Sequence, residues 1–239
     1  MNSTSPDLAA IVVAAGVSRR MGFDKLSTPL GGRPLIAHSL AAFNDCPDVD
    51  HIVLVCAADR IEEFQALAAE FPKVRQIVAG GKERVQSVLA GTAAFSGPRP
   101  IFVAVHDGAR PLVTPEAVSA CYLAAREFGA SVSAEPVTDT LHRVNNQLLT
   151  VETVSRKNLW RMQTPQILEL SVLEALLQDV REAGGTITDE ISLLIRSGGK
   201  ARVVEDLDWN IKVTFPRDLE LAEMILERRK KISAGSDAV

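Results

Sequence analysis

Several polar segments in this chain carry the residue types that handle phosphate groups, and most follow directly on an apolar run. The first is Ala14-Ala15-Gly16-Val17-Ser18-Arg19-Arg20-Met21-Gly22, followed by Asp24-Lys25. Small residues at 14 to 16 let a ligand approach the backbone closely, and the N–H groups of such a turn can face phosphate oxygens. Arg20 and Lys25 add positive charge, one as a planar fork and the other as a mobile point charge. The pattern is neither G-x-G-x-x-G nor G-x-x-x-x-G-K-[ST]. Taken alone, it fits equally well an ordinary turn with solvated basic residues.

Gly80-Gly81-Lys82-Glu83-Arg84-Val85-Gln86-Ser87 offers a second anchor. Paired glycines at a helix start expose backbone donors and acceptors to an anion or a base edge, and Ser87 lies one turn into that helix. A glycine-rich turn with Ser87 on a plain helix face is the bland alternative. The run His106-Asp107-Gly108-Ala109-Arg110-Pro111 ends an apolar stretch in charge, which packing alone does not explain. Asp107 there can accept a ribose hydroxyl or approach a metal, whereas His106 by itself reads as a satisfied core histidine. Three more segments are polar where packing would favour apolar residues: Arg156 with Thr164-Pro165-Gln166, Thr186 to Glu190, and Asn210 to Thr214. The second also fits a helix cap, and Lys212 also fits the solvent side of a short strand.

These segments need a scaffold, and hydrophobic periodicity supplies one. Strands are predicted at Leu8–Ala14, His51–Cys56, Val74–Val78, Ile101–His106, Ser131–Pro136 and Ala201–Glu205. Helices are predicted over Arg33–Asp45, from a cap at Asp59 to Glu70, Lys82–Phe95, from Thr114-Pro115 to Gly129, Leu170–Ala183, Thr188–Ser197 and from Pro216 to about Lys231. The tail beyond Ile232 is expected to fray. Strand–helix alternation implies an α/β fold, with a mostly parallel twisted sheet and helices on both faces. Ligands in such sheets bind beyond the carboxyl ends of the strands. The rhythm breaks at Thr140–Val144, Asn145-Asn146 and Leu148–Val151, which reads as a protruding β-hairpin arm. A lone hairpin is marginal in water, so this one is expected to pack on a partner subunit.

Composition narrows the class. With 239 residues, 46% hydrophobic and 23% charged, the chain can bury a full core without metal or disulfide support. The net charge of -4 argues against a nucleic-acid surface, so anions must be met by local clusters of Lys and Arg. Cys46, Cys56 and Cys121 are odd in number and lack metal-site spacing, which fits reduced thiols in a cytoplasmic protein. Neither a secretory signal nor a membrane span is visible.

In order and spacing, the segments at 14 to 21, 80 to 88, 106 to 111, 164 to 166, 186 to 190 and 210 to 214 together resemble the 2-C-methyl-D-erythritol 4-phosphate cytidylyltransferase family of the non-mevalonate isoprenoid pathway. The resemblance runs from about Leu8 to Ile232. It implies one Rossmann-like nucleotidyltransferase domain over 1–239, a dimerisation arm at about 138–160, a homodimer and Mg²⁺. By resemblance, Gly16, Arg20 and Lys25 hold the CTP triphosphate beside Ala14 and Ala15. Gly80, Gly81 and Ser87 hold cytosine and ribose, and Asp107 approaches ribose and polyol. Thr188 and Lys212 bind methylerythritol phosphate, with Arg110 and Thr164 in the same set. Asp139, Thr140 and Arg156 reach into the partner's site. The chain departs from the family pattern after Lys25, at Lys82 and Gly108, and at Trp209, where Asp is frequent.

The chemistry expected is direct in-line displacement, with the polyol phosphate attacking the CTP α-phosphorus and pyrophosphate leaving. No general base is required, and Arg20, Lys25 and Lys212 are the expected catalytic charges. Mg²⁺ is expected on triphosphate oxygens, with no assured protein ligand. Two other readings stand beside this one: a CTP-dependent ribitol-5-phosphate cytidylyltransferase and a non-catalytic nucleotide-binding protein. Sugar-1-phosphate uridylyl- and guanylyltransferases lack the combined downstream segments. At this length a fused second enzyme domain is not expected.

Overall fold

The computed structural model describes residues 7–16, 21–95, 98–183 and 188–236. Arg20 and the 186–187 pair of the Thr186–Glu190 segment therefore lie outside the described residues.

β1 (Leu8–Ala14) is a nearly continuous buried apolar run, as a central parallel strand must be. It pairs in parallel with β4 (Val49–Cys56) on one side and β6 (Phe102–Asp107) on the other. β5 (Val74–Ala79) continues the parallel pairing beyond β4. Past β6 come β10 (Trp160–Glu169), β7 (Ala130–Pro136) and β11 (Arg202–Glu205), giving the order β11-β7-β10-β6-β1-β4-β5. β10 runs antiparallel to both of its neighbours, and the sheet is otherwise parallel.

Period-two alternation divides the core. Leu8, Ala10 and Val12 face α1 (Leu35–Asp45), α2 (Ile61–Ala68), α4 (Pro115–Phe128) and α7 (Pro216–Ser236). Ala9 and Ile11 face α3 (Arg84–Ala93), α5 (Leu170–Ala183) and α6 (Glu190–Arg196). Helices thus cover both faces, as the strand–helix rhythm requires.

Several boundaries differ from those expected. The helix predicted from Arg33 starts at Leu35, because Gly31 and Gly32, with φ of 59° and 89°, fold β2 (Pro29–Leu30) back on β3 (Arg33–Pro34). Both central residues of that tight turn have positive φ, a conformation glycine adopts freely. Asp59 lies in a 3-10 turn, Ala58–Arg60, and α2 has Arg60 at its N-cap without a side-chain bond. α3 starts two residues later than expected, because Glu83 caps it and its N–H donates to Gln86 Oε1 at 3.2 Å. α6 starts at Glu190, since Asp189 Oδ1 accepts from Ser192 N at 2.8 Å. α7 runs to Ser236, past the expected fraying point.

Hydrophobic periodicity does not predict β10. Gln163, Thr164, Pro165 and Gln166 interrupt its hydrophobic pattern, and its register with β7 shifts between Met162 and Gln166. Proline is tolerated in a sheet at such an irregularity. The arm is the hairpin β8 (Leu141–Val144) and β9 (Thr150–Val154). Asn145 Oδ1 organises its turn by accepting from Gln147 N at 2.9 Å and Leu149 N at 3.0 Å. Among the described residues no helix is long and apolar enough to cross a membrane.

Candidate active site

The parallel strands end level with one another. Val13 of β1 sits opposite Asp107 of β6, and Ala14 sits opposite Cys56, which in turn faces Ala79. The chain reverses its building direction here, with β4 on one side of β1 and β6 on the other. The crevice beyond such a switch point is where α/β sheets take ligands. A hollow of about 250 Å³ occupies it, lined among others by Ala14, Gly16, Lys25, Ser87, Asp107 and Lys212.

The residues around Gly80 are in close contact. A methyl group at Gly80 would come within 2.5 Å of Ala15 Cβ and 2.7 Å of Ser87 Oγ, so only glycine lets these strand ends meet. Gly81 N donates to Ser87 Oγ at 3.2 Å, fixing the hydroxyl in the lining.

Asp107 is the electrostatic centre. Its Oδ1 accepts from Arg84 Nη1 at 2.5 Å and its Oδ2 from Lys212 Nζ at 2.7 Å, with Arg110 Nε at 3.7 Å. Burial by itself would raise this carboxyl. The charges of Arg84, Lys212 and Arg110 outweigh it and hold the group well below the usual carboxylate range. Arg84 in turn donates from Nη2 to Glu190 Oε2 at 2.8 Å.

A buried relay supports Asp107 from behind. Asp107 N donates to Thr164 Oγ1 at 3.0 Å, and that hydroxyl lies 3.0 Å from His106 Nδ1. His106 Nε2 lies 3.3 Å from the Arg110 carbonyl, which can only accept. The chain is satisfied by one tautomer: Nε2–H donates to Arg110 and Nδ1 accepts from Thr164. Burial pushes the imidazole down to about 3, so it stays neutral and structural. His106 is therefore the core histidine its setting implied.

Lys25 and Lys212 approach from opposite ends of the chain. Lys25 Nζ donates to the Val213 carbonyl at 2.9 Å. The 210–214 segment does not form a strand. It is pinned by Val213 N to Ala109 O at 2.9 Å and by Arg110 Nη1 to Asn210 O at 2.8 Å. Pinning the backbone on both sides of Lys212 holds that ammonium over Asp107.

A family model for 2-C-methyl-D-erythritol 4-phosphate cytidylyltransferase matches residues 8–228. The chain belongs to that family. A relative bearing this name in Symbiobacterium thermophilum is 40% identical over 226 residues, 94% of each chain. A solved 4-diphosphocytidyl-2C-methyl-D-erythritol synthase from Anaerococcus prevotii superposes with a TM-score of 0.82 at 25% identity, covering 92% of this chain and 98% of that one. The solved 2-C-methyl-D-erythritol 4-phosphate cytidylyltransferase of Thermus thermophilus gives 0.73 at 30% identity, covering 92% and 98%.

In this cytidylyltransferase-family chain the fold gathers Ala14, Gly16, Lys25, Gly81, Ser87, Asp107 and Lys212 around one hollow, with Ala15 and Gly80 packed beside it. Arg110 sits behind Asp107, and the Thr164 hydroxyl is engaged in the relay. Thr188 is exposed, its hydroxyl 3.4 Å from Ser192 Oγ. Asp139, Thr140 and Arg156 are exposed at the base of the arm and do not line the hollow, and Arg156 Nη1 donates to the Thr138 carbonyl. Arg84 and Glu190 had no role assigned from sequence. Arg84 precedes Ser87 by three residues on α3, a spacing that puts both on one helix face, and this is the signal that could have found it. Nothing local marks Glu190 as anything but a cap residue.

Proposed function

We propose that this chain is one nucleotidyltransferase domain that converts CTP and 2-C-methyl-D-erythritol 4-phosphate to 4-diphosphocytidyl-2-C-methyl-D-erythritol and pyrophosphate. Membership of the family supports this reading. The observation that carries the chemistry is the convergence of Lys25 and Lys212 on one hollow at the strand ends. Two mutually repelling anions can meet only where fixed cations wait for both.

In the proposed reaction an oxygen of the polyol phosphate forms a bond to the α-phosphorus of CTP. The bond from that phosphorus to the bridging oxygen breaks in line, and pyrophosphate departs. The second pKa of a phosphate monoester lies near ~6, so the nucleophile is already ionised at neutral pH. The chain therefore supplies position and charge. Lys25 and Arg20 act on the α-phosphate and Lys212 on the incoming phosphate. With their N–H groups bonded to the Cys56 carbonyl and the Ser87 hydroxyl, Gly80 and Gly81 offer carbonyls to the cytosine amine, and uracil, which has a carbonyl in its place, would leave them unpaired.

Divalent-metal chemistry fits this site only through the substrate. Among the described residues no three His, Cys, Asp or Glu side chains converge, and both Asp107 oxygens already accept from cations. Mg²⁺, bound with the triphosphate, would neutralise phosphate charge; Asp107 is the one protein group proposed near it. The buried free thiols of Cys46, Cys56 and Cys121 support a cytoplasmic location.

A pyrophosphate-release assay crosses CTP or UTP with methylerythritol phosphate or ribitol 5-phosphate. Turnover is expected with CTP and methylerythritol phosphate. Equal rates with UTP would remove the cytosine assignment, and preference for ribitol phosphate would favour the pentitol reading. CTP binding without pyrophosphate release would mark a non-catalytic binder.

A second subunit completes the proposal. Val144, Leu148, Leu149 and Val151 on the arm are exposed apolar residues, with Leu148 82% exposed. A homodimer would cover them and bring Arg156 to the partner's bound phosphate. Light scattering after gel filtration is expected to give twice the chain mass. A fully active monomer would remove the cross-subunit role of Arg156.

A further inference from the structure

Arg84 has its guanidinium divided between two carboxylates, Asp107 on the hollow and Glu190 behind it. Glu190 is fully buried, and its Oε1 has no hydrogen-bond partner among the described residues. It takes no part in the proposed reaction, and a buried carboxylate is costly unless it is paired, as Glu190 is through Oε2 alone. Its backbone is held firmly. Gln166 Oε1 accepts from Ile191 N at 2.9 Å, and Gln166 Nε2 donates to Asp189 Oδ2 at 3.2 Å. The start of α6 is thereby tied to β10, and Glu190 becomes a fixed post behind the Arg84 guanidinium.

We propose that Glu190 is a positioning residue that acts through Arg84. By taking Nη2 it breaks up the Nη1–Nη2 edge and leaves Nη1 alone facing Asp107, with Nε on the other side unpartnered among the described residues, so that Asp107 keeps its second oxygen for Lys212. Without Glu190 the whole guanidinium edge is available, and a bidentate Arg84–Asp107 pair is the preferred geometry for such groups. That pair would pull the carboxylate from Lys212 and displace the ammonium assigned to the incoming phosphate.

The inference rests on the proposed reaction, and the experiment separates the two. Arg84→Met, Glu190→Met and the double variant are compared in the full chain. Methionine has similar length, so the double variant exchanges the buried pair for apolar packing at little cost, whereas each single variant leaves one buried charge short of a partner and is expected to melt lower. Near-UV circular dichroism and gel filtration verify the fold. Glu190→Met is expected to lower kcat/KM for methylerythritol phosphate about thirtyfold, the scale of a small misplacement near the chemistry. Glu190→Gln, whose amide oxygen can still accept from Arg84, should recover most of it. In the Arg84→Met background Glu190→Met should change nothing further, because coupled residues are not additive.

Equal losses in both backgrounds would mean that Glu190 only supports the fold, and would overturn the proposal. So would a wild-type value of kcat/KM in Glu190→Met. If Glu190→Met does not fold, Glu190→Gln runs the same cycle, with a smaller loss that must also vanish without Arg84. A wild-type protein inactive with CTP and methylerythritol phosphate would remove the reaction and this inference together. Normal wild-type turnover with an additive cycle would remove the inference alone.

Discussion

Lys25→Ala is expected to lower kcat about a hundredfold, roughly 3 kcal/mol of transition-state stabilisation, while the protein stays folded. The two halves of this expectation have separate causes. For folding, the side chain is half-buried at the edge of an open hollow, and its bond to the Val213 carbonyl at 2.9 Å is to backbone that Val213 N and Ala109 O also hold. Such a bond contributes about 1 kcal/mol net, and water can replace it in an open hollow. For catalysis, the ammonium lines the site in which charge must build on the α-phosphate. A fixed cation there costs no reorganisation when the reaction occurs. Its loss should therefore appear in kcat more than in KM, the sign of an interaction made mainly in the transition state. Steady-state pyrophosphate release and thermal melting of the same preparation check both halves. Near-normal turnover would refute the assignment.

Asp107→Ala is expected to destabilise the fold by about 3 kcal/mol, because it removes one partner of a buried charge cluster. Arg84 and Arg110 have side chains only 17% and 11% exposed, and Asp107 lies between them. Without its carboxylate the two guanidinium groups face each other across a low-dielectric site, with Glu190 alone to balance Arg84. Lys212→Ala removes another partner of the same carboxylate, yet its side chain is 42% exposed. An ion pair with that much solvent contributes at most about 1 kcal/mol. Urea unfolding of the two variants should therefore rank Asp107→Ala as clearly the less stable. Equal stability would mean that the cluster is solvated more fully than its burial implies.

Local chemistry made much of this protein legible without coordinates. The apolar run Leu8–Ala14 and the helix Leu170–Ala183 are found where periodicity places them, and Thr114 caps α4 by accepting from Ala117 N. Thr114-Pro115 is a start signal carried by adjacent residues, and neighbouring residues are all that capping and periodicity require. The segments after β1, β5 and β6 were likewise readable, because in a parallel α/β sheet a polar cluster at a strand end is already at a ligand crevice.

What stayed hidden depends on contacts between distant parts of the chain. β10 breaks its own hydrophobic pattern at Thr164 and Pro165 and is a strand only because β6 and β7 pair with it from either side. Thr164 is expected among the substrate contacts, and no local pattern signals that its hydroxyl accepts from Asp107 N, 57 residues away. Lys25 meets Val213 across 188 positions, and Arg84 meets Glu190 across 106. Residue types and short spacings determined which side chains could do phosphate chemistry. Only the packed sheet, by bringing remote strand ends to one level, decided which of them share a hollow and which merely hold the others in place.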